Sequence, residues 1–408
     1  MKTGQWFRKT PVKICASLLL AFFLFWRLGN FYLQAFHGLA WDYSINWIAA
    51  LGIREGLSLY DHPALQELAV SRIDSGMKIL FGGRFTSFIG LPSTAILHLP
   101  FTWLPYETSV LVYRVTSLLA MIGAIAIAGL ALPVSLRVRA WWAGLLCLLT
   151  WNAFPLSIKL GQVDAWVLLS LAGAVLAVSR GWWRCAGVAM GVAALLKISP
   201  VWLLFYCLLK RQWTVLLASA ACIASGLLVS AWPQHGQDLV QFFVEVLPSL
   251  GDSPLHVQNQ ALGAFLARLT TGDVQLLSFV AGTGYWKMVG AGVAAVLLLS
   301  LSAGRQKNTA IAEELAAVIL LALLAGPLTW DHYLAWAIIP VMLLAARLSL
   351  VHALLLCGVL LPLMFPVPYL SADVIAEHGS WRWLTGLQVV SVLALAVWMV
   401  SRCRKAGC

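Results

Sequence analysis

Charge is what this sequence has least of. Only 11% of its 408 residues are Asp, Glu, Lys or Arg, where soluble domains carry roughly a quarter. That shortage excludes an ordinary water-soluble enzyme. Acid is the scarcer sign, with 16 Asp and Glu against 27 Lys and Arg, for a net charge of +11. The excess need not mean a nucleic-acid partner, because membrane proteins keep Lys and Arg on their cytoplasmic loops. No nucleic acid is expected. Familiar catalytic signatures are missing as well: no P-loop, Rossmann fingerprint, Ser-His-Asp order or HExxH element occurs. The eight cysteines show no metal-ligand spacing. Cys185 and Cys207 lie in apolar runs, and Cys403 and Cys408 in the C-terminal tail. Neither a disulfide framework nor a zinc site is expected. No internal repeat is visible, which counts against the inverted-repeat transporter folds.

What is abundant is apolar sequence: 61% hydrophobic residues and a mean hydropathy of +0.86. This composition predicts an all-α polytopic membrane protein. The basic start MKTGQWFRKTPVK precedes an apolar segment over residues 14–36. A signal peptide is the alternative, but Arg27 interrupts the run and no small-x-small site follows. An uncleaved first helix with a cytoplasmic N-terminus is the better reading. Placing Lys and Arg inside then gives a first outer loop over 37–88 and a second over 233–283. The segment 88–105, broken by Pro92, Pro100 and Pro105, reads as a short or re-entrant outer piece. Spans follow at 107–132, 140–157 and 163–179. Two half-length helices should meet near Lys197–Pro200, since both ends of that stretch are basic. The later turns fall at Arg305 and Lys307, Asp331 and His332, Arg347, a loop with Pro366, Pro368, Tyr369, Asp373 and Glu377, and a cytoplasmic C-terminus. The total is about ten full spans plus the hairpin and the re-entrant piece. Acids were not used to orient the chain, yet of sixteen only Glu313 and Glu314 fall inside. The polar chemistry is expected on the outer, periplasmic or extracellular, face.

The stretch 37–61 organises the rest. Asp42 sits between Trp41 and Tyr43, just past the first apolar run. A carboxylate at an apolar–aqueous boundary loses hydration, and its pKa rises towards the range useful to a general base. The bland alternative is a solvated loop acid. Asp61 reads as a local cap. Arg54, Arg72, Lys78, Arg84, Arg268 and Arg382 stand outside against the positive-inside trend. Together they could meet a phosphate, which guanidinium matches bidentately. Arg114, beside Tyr113 within a span, needs a partner or a polar cavity. Asp164, in Gly161-Gln162-Val163-Asp164, reads as a helix-start acid, with Gln162 free to reach a ligand. Lys197 reads as snorkelling to the cytoplasmic side or supporting its hairpin. Asn259-Gln260 and Trp330-Asp331-His332-Tyr333 stand at outer helix ends, and the second is dense enough to favour a site. His98 and His256 are weaker candidates.

In their order, these landmarks resemble glycosyltransferase family 87, within the GT-C superfamily of membrane glycosyltransferases. The resemblance rests on Asp42-Tyr43 with Gly56 and Leu59-Tyr60-Asp61, then Gly161-Gln162, Lys197-x-x-Pro200, Asn259-Gln260 and Gly326-Pro327-x-x-Trp330-Asp331-His332. Where many members carry Tyr-Pro-Pro, this chain has Gly90-Leu91-Pro92-Ser93. What the resemblance implies is a GT-C-like fold that moves a sugar, mannose in the best-known case, from a polyprenyl-phosphate donor. The acceptor would be a glycolipid or glycan on the outer leaflet of a prokaryotic plasma membrane. Asp42 would be the base of an inverting transfer. Tyr43, Tyr60, Arg114, Gln162, Asn259, Gln260, Arg268, Asp331 and His332 would bind substrate. No cofactor is called for: a lipid-linked donor needs no nucleotide site, and no DxD lies near Asp42 to demand a metal. A transporter or lipid-linked-sugar flippase is the competing class, and a non-catalytic partner in envelope-glycan assembly a third.

Overall fold

The computed structural model describes residues 22–73, 88–231, 236–249, 255–271, 284–302, 308–326, 328–364 and 379–406. Several expectations fall outside them: the start of the first helix, Lys78, Arg84, parts of the second outer loop, Arg305, Lys307, Pro327 and the loop around Pro366, Tyr369, Asp373 and Glu377. Among the described residues the chain is helical throughout. The sole extended pairing there is an isolated antiparallel bridge between Asn259 and Trp330.

The first apolar run carries a π-helical turn at Leu28–Leu33. Then come α1 (Trp41–Glu55), α2 (His62–Arg72), α3 (Pro92–His98) and a 3-10 turn at Leu99–Trp103. Asp61 caps α2, its side chain accepting from the Ala64 N–H at 3.2 Å, as the sequence predicts. The Pro-broken segment is short-helical, also as expected. Next are α4 (Tyr106–Leu130), α5 (Val134–Thr150), α6 (Ala153–Leu160), α7 (Asp164–Ser179), α8 (Trp183–Leu196), α9 (Val201–Leu209) and α10 (Trp213–Ala231). The second half holds α11 (Gly236–Gln241), α12 (Leu262–Thr271), α13 (Gly284–Ser302), α14 (Asn308–Ala325), a 3-10 helix at Asp331–Ala337, α15 (Ile338–Ala345), α16 (Leu350–Met364) and α17 (Leu387–Ala406).

Among the described residues, four helical stretches are long and apolar enough to cross a bilayer: Tyr106–Leu130, Trp213–Ala231, Tyr285–Ser302 and Arg382–Arg404. A fifth is counted if α5 and α6, bent by 59° at their junction, form one span. The expected count of about ten is met only in part, because several apolar runs are broken into pieces too short to cross alone. The 140–157 run is one case, with its break at Trp151 in extended backbone. The hairpin at Lys197–Pro200 is another: α8 ends at Leu196, Lys197 takes extended backbone, and α9 starts only after Pro200.

The core lies where helices are apolar all round. In α14, every residue from Leu315 to Leu324 is buried, and Leu334–Leu344, Pro340 included, follow the same rule. α7 packs against α4, α8 and α14, and also against the 3-10 helix Asp331–Ala337.

Candidate active site

Asp42 occupies the first turn of α1, where the helix dipole favours an acid. It is half-buried between exposed Trp41 and fully enclosed Tyr43. Two devices fix this turn. Arg114, reaching from α4, donates to the carbonyls of Phe36 and Gly38 at 2.9 Å each and to that of Lys159 at 3.1 Å. One guanidinium thereby ties the approach to α1 to the end of α6. Gly161 follows α6 with a left-handed φ of +69°. A β-carbon there would overlap the Tyr43 β-carbon, so only glycine lets this turn lie against α1. Gln162, the next residue, lies by Asp42 and favours its ionised form.

Behind Asp42 sit two residues that the sequence reading gave structural roles. The Lys197 ammonium donates to both carboxylate oxygens of Asp164 at 3.0 Å. It also lies 3.2 Å from the centre of the Tyr333 ring, with Trp336 beyond at 5.8 Å. His332 brings its Nε2 to 3.6 Å from Asp164. Lys197 therefore does not snorkel away, and Asp164 is more than a helix-start acid. The start of α7 and the end of α8 meet, and each residue neutralises the other. Burial raises the Asp42 carboxyl to about 6; the Gln162 side chain and the Lys197 charge lower it, and Asp164 raises it. At neutral pH Asp42 is thus mostly ionised and still basic enough to take a proton.

Asn259, Gln260, Arg268 and Asp331 form a separate bracket. The Asn259 side-chain oxygen accepts from the N–H groups of Ala261 and Thr329 at 3.2 and 3.0 Å. The Gln260 N–H donates to the Thr329 carbonyl at 2.5 Å, and the Asp331 N–H to the Gln258 carbonyl at 3.0 Å. The Gln260 side chain turns back to the Val257 carbonyl. Arg268 is fully buried and donates to the carbonyls of Asn259, His256 and Thr385 and to the Thr385 hydroxyl. Asp331 faces this arginine, so the Asp331-His332-Tyr333 trio diverges, and His332 and Tyr333 turn to Lys197. Arg114 and Arg268 direct most of their donors to backbone carbonyls and so hold chain segments in place, while the Arg114 Nε is buried without a partner among the described residues.

Tyr43 lies in an aromatic layer, 4.7 Å from Tyr113 and 5.6 Å from His98, ring centre to ring centre. Tyr60 is remote in contact terms; its hydroxyl donates to the Gly90 carbonyl at 2.8 Å and its ring packs on Phe88. Of the outer bases, Arg54 bonds to Thr102 and Arg72 pairs with Glu55.

A half-buried acid, an amide, a buried cation and a histidine gathered at the end of an apolar helix bundle define a class: a membrane-embedded protein with a polar reaction site. The model of glycosyltransferase family 87 matches residues 88–327. The chain belongs to that family and is a glycosyltransferase, which decides against the transporter reading. A polyprenol-phosphate-mannose-dependent alpha-(1-2)-phosphatidylinositol mannoside mannosyltransferase of Mycobacterium tuberculosis is 28% identical, over 79% of this chain and 80% of its own. A phosphatidylinositol pentamannoside mannosyltransferase of Mycolicibacterium smegmatis, also named polyprenol-phosphate-mannose-dependent and alpha-(1-2), is 27% identical, over 78% of this chain and 77% of its own. No solved structure matches.

Proposed function

We propose that the protein moves mannose from a polyprenyl-phosphate donor to a glycolipid or glycan acceptor on the outer face of a prokaryotic plasma membrane. The names of the mycobacterial relatives support that donor and a glycolipid acceptor of the phosphatidylinositol mannoside kind. The observation that carries the reading is the half-buried Asp42 carboxylate at the start of α1, with Gln162 and the buried Lys197 both favouring its ionised form. The acceptor hydroxyl loses its proton to Asp42 as its oxygen attacks the anomeric carbon from the face opposite the donor phosphate. The bond from that carbon to phosphate oxygen breaks, and polyprenyl phosphate leaves with the electron pair. Configuration inverts. One base suffices, because the phosphodiester becomes a stable phosphate anion without protonation. The Lys197 ammonium favours the ionised form of Asp42 before transfer, and as Asp42 takes the proton negative charge gathers instead on the departing phosphate. His332, Gln162 and Tyr43 orient the sugar and the acceptor. Arg114, Gly161, Arg268, Asn259, Gln260 and Asp331 act as positioning residues, and Tyr60 holds the Gly90 segment.

The outer orientation rests on the distribution of Lys and Arg and on the acids gathered at the other side. In this topology the termini are cytoplasmic, and the shorter apolar helices complete the crossings as broken or paired pieces, about ten in all. The test is a product assay in proteoliposomes with labelled polyprenyl-phosphate mannose and glycolipid acceptors, read by mass spectrometry. A mannosylated acceptor with inverted linkage is expected. Transfer from a nucleotide sugar alone, with none from the lipid-linked donor, would contradict the proposal.

A further inference from the structure

The helical segment that follows α10 has three faces. It runs from α11 (Gly236–Gln241) through a π-helical turn at Phe242–Val246 to Leu247–Ser249. One face is buried: Phe242 packs with Ala49 of α1, Leu59, Tyr60 and Leu91. On that face Asp238 accepts from the Ser58 hydroxyl at 2.5 Å and the Leu59 N–H at 3.2 Å. A second edge is polar, with Gln237 exposed and Gln241 donating to Glu245 at 3.0 Å. The third is apolar and uncovered: Val240, Phe243 and Val244 are 63%, 47% and 66% exposed. Their i, i+3, i+4 spacing makes one stripe.

A surface helix of a protein in water has no reason to divide its open side into an apolar half and a polar half. A helix at the bilayer surface does, with its apolar stripe in the acyl boundary and its polar edge among headgroups. The chain's own continuity points the same way. α10 is a candidate span whose last turns expose Leu228 and Val229, and its end at Ala231 is separated from Gly236 by four residues. The exposed apolar surface at the end of α10 and the Val240–Val244 stripe thus belong to two helices that pack against each other.

We infer that residues 236–249 lie in the lipid–water boundary of the outer leaflet, Val240, Phe243 and Val244 immersed in acyl chains, and fix the height of α1 against that leaflet. The occupant of the stripe is lipid. The mechanical link is Asp238, which bolts the segment to the Ser58–Leu59 turn just past the end of α1, while Phe242 packs against α1 itself. A lipid-linked donor presents its phosphate at a depth set by the bilayer, so an enzyme acting on it gains from gauging that depth. The inference rests on the outward orientation proposed above, but its test does not depend on turnover.

The test places the photoreactive residue p-benzoylphenylalanine at position 243 of the full chain, in nanodiscs of phosphatidylcholine and phosphatidylglycerol. Intact-mass and peptide analysis after illumination should show lipid adducts at position 243 about tenfold above those with the probe at 245 on the polar edge. Positions 240 and 244 carry the same expectation and serve if the probe at 243 prevents folding. Equal lipid adducts at 243 and 245, adducts to a second copy of the chain, or no adducts at 240, 243 and 244 would each overturn the inference. A chain that transfers no mannose yet shows the lipid adducts would retain this inference while the functional proposal fails.

Discussion

Two lysine–carboxylate pairs stand at the two ends of α9, and they are close to identical as pairs. Lys197 meets Asp164 at 3.0 Å and Lys210 meets Glu314 at 3.2 Å; both lysines are 10% exposed and both acids fully buried. Each has a tyrosine beside it: Tyr333 under Lys197, and Tyr206 donating its hydroxyl to Glu314. What differs is the company. The first pair adds a third charge, the half-open Asp42, with Gln162 and His332 around it. At the second, the tyrosine hydroxyl and Cys403 close on the carboxylate. A buried ion pair is by itself a structural device whose desolvation cost rivals its attraction. It becomes a candidate for chemistry when a group that can still exchange protons is held against it.

This comparison can be broken most forcefully at Asp42. Asp42→Asn should lower turnover by about 10³-fold, within the range of a general base. Its melting temperature should equal or exceed that of the wild type. The folded pKa of about 6 lies above the ordinary unfolded value. The folded state thus binds the proton more tightly, stability falls as pH rises through that interval, and a neutral amide removes the loss. A variant that is inactive because it unfolds would contradict the reading. Next, Lys197→Met and Lys210→Met should each destabilise by about 3–5 kcal/mol, since each strands a buried carboxylate. Turnover per folded molecule should fall about 100-fold for the first alone. Equal losses of activity would erase the distinction between the two pairs.

Gly161→Ala sharpens the same comparison from the backbone. The added methyl meets Tyr43 and must push the Gln162 turn away from Asp42. A loss of about tenfold in kcat is expected, because small misplacements at a reacting centre are costly. The overlap and the left-handed φ should also cost about 1–3 kcal/mol of stability. The smallest effect is reserved for Tyr60→Phe, which deletes the hydrogen bond to Gly90. It should cost about 1 kcal/mol of stability. Turnover should be unaltered, since Tyr60 touches none of the Asp42 cluster; a large kinetic effect would bring the Gly90 segment into the site.

The sequence made Asp42, Gln162 and His332 legible because each stands at the end of an apolar run, where a polar residue needs a reason. It left Asp164 and Lys197 under-read. A helix-start acid and a lysine at a proline break each have an adequate local explanation, and only the antiparallel packing of α7 and α8 brings them together. Arg114 was legible as an arginine in need of a partner and Arg268 as one of the outer bases, but neither as a clamp on the backbone. Carbonyl oxygens leave no mark in a sequence, so side-chain phosphate recognition was the natural expectation. Helical class followed from composition, while helix breaks at Trp151 and Lys197–Pro200 shortened runs that hydropathy alone would count as spans.

The most direct test of Asp42 as the base is the pH profile of kcat/KM in proteoliposomes, for the wild type and a His332→Gln variant. A phosphodiester donor does not titrate near neutrality, so the acidic limb reports the protein. The base must be unprotonated, so the rate should fall below a midpoint of about 6 with a slope of one proton, and His332→Gln should keep that midpoint. A rate unchanged between pH 5 and about 8, or a limb that vanishes with His332, would contradict the assignment of Asp42.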